Sequence, residues 1–151
     1  MNIPRLLFRL LLGRRLPIAS GTLEVPGVKR PVLIHRDRYG IPHIQAENEE
    51  DAWYGMGFCQ GQDRAFQLET LLRVTRGTLS EIAGREGLAL DRLSRRIGFT
   101  HSSKHQSEVL DHGVYAMLDA YAQGVAGGST LGCTRKAHEF TLLRTVPSHF
   151  T

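Results

Sequence analysis

From Asn48 onward, Tyr54, Phe58, Gly61, Ala65, Leu68 and Leu72 recur at steps of three and four, the spacing of one face of an α-helix. A strand, whose side chains alternate every second residue, cannot place those positions on one face. The chain therefore has to organise itself around a single long helix, predicted from Asn48 to about Arg73. Asn48 supplies an N-cap side chain, and Glu49, Glu50 and Asp51 set carboxylates against the positive end of the helix dipole. Trp53, Met56 and Phe66 widen the apolar stripe, so the helix is predicted to lie in the core. Gly55, Gly57 and Gly61 interrupt it. Each glycine costs about 1 kcal/mol relative to alanine in a helix interior, a cost that makes sense where another backbone approaches closely.

Directly before the helix, Val32-Leu33-Ile34 continues to Arg36, the chain reverses near Tyr39-Gly40, and Ile41 to Ala46 returns. That pattern predicts a hairpin, with Pro42 confined to a strand start or an edge because it cannot donate to a ladder. Gly21 to Val28, broken by the Pro26-Gly27 turn, is read as a further short strand. His43 on the return strand is the residue type most used as a general base, although a histidine satisfied by one hydrogen bond is the commoner case. Mid-helix, Gln62-Asp63-Arg64 forms a polar band whose side chains need partners. Asp63 and Arg64 point about 100° apart on a helix, so each is expected to pair with another element, with Arg36 or Asp37 in reach. Asp37, His43, Asp63 and Arg64 are thus the candidate polar motif, read as structural. Glu69 and Arg73 look like a surface pair one turn apart.

After Gly77, Thr78 is placed to cap a short helix closed by Gly84, and Leu88 to Ile97 forms another with Leu90, Leu93 and Ile97 inward. Ser102 to Leu110 and Val114 to Val125 also read as helices, the latter with a stripe at Val114, Met117, Leu118, Tyr121 and Val125, and the two suit an antiparallel pair. His101 and His105 stand one turn apart with His112 nearby. That spacing could hold a metal, but no carboxylate is fixed beside them, and an exposed helix face explains them as well. Ala126 to Thr130 is flexible in composition and leads to a tail of little periodicity. Four segments follow: a basic amphipathic stretch at 1–17, short strands at 18–46, a helical region at 47–126 and a flexible tail at 127–151. The fold class is α+β, a β-hairpin followed by a mostly helical bundle.

Composition removes several functions. Hydrophobic residues at 41% and charged residues at 23% suit a soluble globular protein rather than a disordered chain. The net charge of +4 is spread along the sequence, without the basic stripe or module that nucleic-acid binding needs. In Met1 to Pro17, Arg9 divides the apolar run into pieces too short for a signal peptide. That segment is expected to dock on its own protein or to fray as a terminus, with weak contact to a membrane surface as the functional reading. The compartment stays open between cytoplasm and periplasm. Cys59 and Cys133 lack metal or redox spacing, and Cys59 reads as a small buried hydrophobe. No G-x-S-x-G elbow and no phosphate-binding G-x-x-x-x-G-K-[ST] loop is present.

The ordered set Arg36-Asp37, Gly40, Pro42-His43-Ile44, Asn48, Gln62-Asp63-Arg64, Gly77 and Gly84 resembles the start of the penicillin amidase family of N-terminal-nucleophile hydrolases, in the part that becomes the smaller chain. The likeness is close from about Gly21 to Gly98 and looser to Val125, with Phe140, Pro147 and Phe150 loosely matching a later linking segment. It implies a piece of the four-layer αββα fold and hydrolysis of a linear amide, with acyl removal from β-lactam antibiotics, acyl-homoserine lactones or similar molecules. In that family the nucleophile is a serine opening a larger chain downstream, and its own α-amino group is the base. No Ser-Asn pair of that kind occurs here. The acyl pocket and the calcium carboxylate of the family also lie beyond the matched segment, so the resemblance assigns no catalytic, substrate-binding or metal residue and no cofactor. It implies a missing large chain of the same precursor as partner, and a sequence shortened as a gene fragment or by a frameshift, inactive alone. The alternative is a non-catalytic helical binding or membrane-surface module that keeps the family scaffold.

Overall fold

The computed structural model describes Gly13 and residues 16–148, so nearly all of the 1–17 segment, with its membrane-surface reading, lies outside the described residues, as does Phe150. Strand β1 (Leu33–Arg36) pairs antiparallel with β2 (Pro42–Gln45), with Leu33 opposite Gln45 and Arg36 opposite Pro42. Gly40 turns the corner at φ 81°, a left-handed value that glycine adopts without the steric cost of a Cβ. The Asp37 carboxylate fixes the same turn by accepting the amides of Tyr39 at 2.8 Å and Ile41 at 2.9 Å. Residues 21–28, read above as a strand, have no ladder partner among the described residues. A side chain holds that arm instead: the amides of Lys29 and Arg30 both donate to Asp51 at 2.9 Å.

Helix α1 spans Glu49–Arg76. Asn48 caps it by accepting the Asp51 amide at 2.9 Å. It runs three residues past the predicted end, to Gly77 at φ 66°, where the Gly77 and Thr78 amides fold back onto the Val74 and Arg73 carbonyls. Arg64 departs from helical geometry at φ −136°, which puts a kink directly after Asp63.

Helix α5 (His112–Thr130) is the principal partner of α1 and runs in the same direction. It does not stop near Val125, because its last turn is wedged against α1. A Cβ at Gly57 would lie 2.1 Å from the Tyr121 carbonyl oxygen, and one at Gly61 would lie 2.3 Å from that of Val125. The reverse also holds, with Gly124 meeting the Tyr54 oxygen at 2.1 Å and Gly128 the Phe58 oxygen at 2.0 Å. Each helix thus carries a G-x-x-x-G face on which the other's backbone rests, a geometry that permits Cα–H···O contacts. Gly127-Gly128 looks flexible as sequence because glycine loosens an unpacked chain; packed, Gly128 lies against the Phe58 backbone of α1. Tyr54, Phe58, Ala120 and Val125 bury their side chains around this seam.

Helix α2 (Ser80–Ala83), a 3₁₀ turn (Gly84–Gly87) and α3 (Leu88–Ile97) follow. Their orientation reverses the expectation. Leu90, Leu93 and Ile97 face solvent, while Asp91 and Ser94 are buried. The carboxylate decides it: Asp91 accepts the amides of Leu79 at 2.7 Å and Ser80 at 2.9 Å, satisfying the start of α2 in place of Thr78. Helix α4 (Phe99–Val109) contacts α1 and α3 rather than pairing along α5.

Glu69 and Arg73 are also not a surface pair. Glu69 is 0% exposed, and it accepts Arg73 Nε at 2.6 Å and both the amide and the hydroxyl of Ser148 at 2.7 Å. Arg73 continues to Glu81 at 2.5 Å. This node ties down the segment containing α6 (His138–Leu142), whose Phe140 is buried edge-on against Phe66 at 5.4 Å between centroids.

Candidate functional site

The kink in α1 and the tip of the hairpin meet in one polar cluster. Arg36, at the end of β1, reaches across to α1 and grips Asp63 with both guanidinium nitrogens, at 2.8 and 3.1 Å. The same side chain donates to Gln62 Oε1 at 3.1 Å and to the Gly40 carbonyl at 3.0 Å. Gln62 carries the link onward: its Nε2 donates to the carbonyls of Ile18 at 3.1 Å and Gly132 at 2.8 Å. One residue pair therefore fastens the hairpin tip, the arm entering it and the loop after α5 to a single point on α1.

The four motif residues do not form one group. Asp37 and His43 sit together at the hairpin turn, with His43 Nε2 3.6 Å from the Asp37 carboxylate, too long for a hydrogen bond. The Ile41 amide chiefly, with Tyr39 and His43 adding to it, holds the Asp37 carboxyl below its ordinary range. Asp63 belongs to the Arg36 fork. Arg64 turns away to Gln67 at 3.0 Å on the exposed side. Burial raises both thiols, Cys59 and Cys133. His101 and His105 lie on exposed α4, with His105 facing Glu108 at 3.6 Å. Among the described residues no group of three or more His, Cys, Asp or Glu could hold a metal ion.

Sequence patterns missed the carboxylates that do the fastening. Asp51 was legible as a first-turn acid, but its second role, clamping the amides at 29 and 30, depends on a loop folding back from twenty-odd residues away. Burial pushes the Asp51 carboxyl up, and the Lys29 amide, the Asn48 side chain and the Arg30 amide more than reverse that, leaving it lowered. Asp91 behaves alike, raised by burial and brought down further by Ser80 and the Leu79 amide. A second buried polar node, at Glu69, carried no sequence signal beyond its spacing from Arg73.

The cluster orders the chain; its Arg36, Gln62 and Asp63 side chains are committed to one another and to backbone. Against known proteins, the penicillin amidase family model matches residues 31–151. The chain belongs to the penicillin amidase family. It is 42% identical over 110 residues to the penicillin acylase 2 proenzyme of Pseudomonas sp. (strain SE83), an alignment covering 73% of this chain and 14% of that protein. It is 35% identical over 94 residues to the penicillin G acylase of Escherichia coli, covering 62% of this chain and 11% of that one. An acyl-homoserine lactone acylase, QuiP of Pseudomonas fluorescens, is 30% identical over 110 residues, or 73% of this chain and 14% of the relative. The thermostable penicillin G acylase from Alcaligenes faecalis superimposes with a TM-score of 0.70 at 25% identity, over 79% of this chain and 65% of the matched one. The hairpin and helices are thus those of a member of the family, and the chain spans 11–14% of the length of these three curated relatives.

Proposed function

We propose that this chain is the front, non-nucleophilic part of an acylase that hydrolyses a linear amide, and that it works only when joined by the polypeptide that forms the rest of such an enzyme. The observation that carries the reading is surface. Large apolar side chains of the described residues face outward, with Leu93 52%, Ile97 56% and Leu118 53% exposed on α3 and α5. Stripes of this kind mark interfaces. The relatives' names offer penicillins and acyl-homoserine lactones as substrate classes, and the nucleophilic serine is assigned to the companion polypeptide.

A chimera tests the reading. The matching residues of the Pseudomonas sp. proenzyme are replaced by those of this chain, and hydrolysis of an N-acyl chromogenic amide is followed. The expected rate lies within about tenfold of the parent, a barrier change of about 1.4 kcal/mol, while this chain alone gives none. A soluble, folded chimera without activity, or an active lone chain, contradicts it.

A further inference from the structure

Where the end of α1, the end of α3 and the start of α4 meet, the fold leaves an open cavity of about 430 Å³, a size usual for small-molecule sites. Its lining is one-sided in charge. Arg76, Arg95, His101 and Lys104 contribute to it, and no aspartate or glutamate does. Asp91, one turn before Arg95 on α3, is committed to the amides of Leu79 and Ser80. Arg95 is held in place through Nε, which donates to the Gly77 carbonyl at 2.9 Å. Neither of its Nη groups carries a hydrogen bond among the described residues, and the Lys104 ammonium forms no ion pair there.

Two further features distinguish this cavity from a solvated basic patch. Helix α4 starts from Gly98, which supplies no side-chain cap, so its leading amides and the positive end of its dipole are left for an anion. Independently, Ser94 is 2% exposed and lines the same cavity, yet its hydroxyl has no hydrogen-bond partner among the described residues, where a buried hydroxyl calls for one. A water molecule would answer that hydroxyl but leave the cations around it without a counter-charge. We propose that the cavity binds a phosphoryl group, free as inorganic phosphate or carried on a small phosphomonoester. Arg95 and Lys104 supply the charge, the arginine fork matching phosphate oxygens in pairs. The hydroxyls of Ser94 and Thr100, with the first amides of α4, supply directed donors. The site stands apart from the polar cluster at the hairpin and does not depend on the acylase reading.

Amide chemical shifts of the whole chain test it, followed by NMR during titration with inorganic phosphate, glycerol 3-phosphate or acetate at matched ionic strength. The expected result is saturable shifts at Phe99, Thr100 and His101 with at least one of the two phosphates and none with acetate; the tighter phosphate names the source. Ser94→Ala and Lys104→Gln should each weaken binding by about fivefold or more, the scale of one hydrogen bond to a charged group. Arg38→Gln, which removes an exposed cation at the hairpin tip, should leave binding unchanged. Shifts that never saturate, acetate binding as well as phosphate, or an equal loss in Arg38→Gln overturns the site. So does a folded Ser94→Ala that binds like the parent; if that variant does not fold, the exposed Lys104→Gln decides, and unchanged binding there overturns the site as well.

Discussion

At the scale of single residues, fixed carboxylates and missing side chains hold this chain together. Asp51 and Asp91 are buried, and each accepts two backbone amides from a segment outside its own helix. Their carboxyls, like that of Asp37, are held below the unfolded value, which is near 3.9. As pH falls through that range the unfolded chain takes up protons first, so stability drops with pH. The contribution is complete above about pH 4 and is lost as pH falls through the lower folded values. Thermal melts between neutral pH and pH 3 should show this slope, and Asp51→Asn should flatten it while lowering the midpoint at neutral pH. Glycine acts by absence. Gly57→Ala and Gly124→Ala each place a methyl 2.1 Å from a carbonyl oxygen of the facing helix, so the helices must separate. Each substitution should cost about 1–3 kcal/mol, the usual range for overpacking, in a denaturant titration.

At the scale of elements, the hairpin, the long helix and most helical segments were legible because each rests on a local signal: alternation, a step of three and four, an N-cap, a glycine stop. What escaped was decided by partners far along the chain. Leu90, Leu93 and Ile97 form a good apolar stripe, yet α3 turns outward because Asp91 binds the start of α2. Gly127-Gly128 reads as a loop until α1 lies against it. The polar cluster was half legible: Gln62-Asp63-Arg64 stood out as a band, but the choice of Arg36 over Asp37, and the turning away of Arg64, follow from the kink at Arg64. Gln62 is the element-level hinge pin. Gln62→Ala removes its bonds to Ile18 and Gly132, so the Ile18 amide, which donates to the Gly132 carbonyl at 2.8 Å, should exchange faster while α1 near Tyr54 keeps its protection.

At the scale of the whole molecule, the folded chain looks like a scaffold with uncovered faces. Its core is the α1–α5 seam, and several large side chains on α3, α4 and α5 face outward, Phe99, Val109, Val114 and Leu118 among them. In the three relatives named above, the matching region is a small share of a much longer protein. Fluorescence of an apolar dye added to the lone chain at micromolar concentration tests incompleteness most directly. Strong enhancement, falling away in the chimera, is the predicted result. A lone chain that leaves the dye as dim as a complete globular protein does would contradict it.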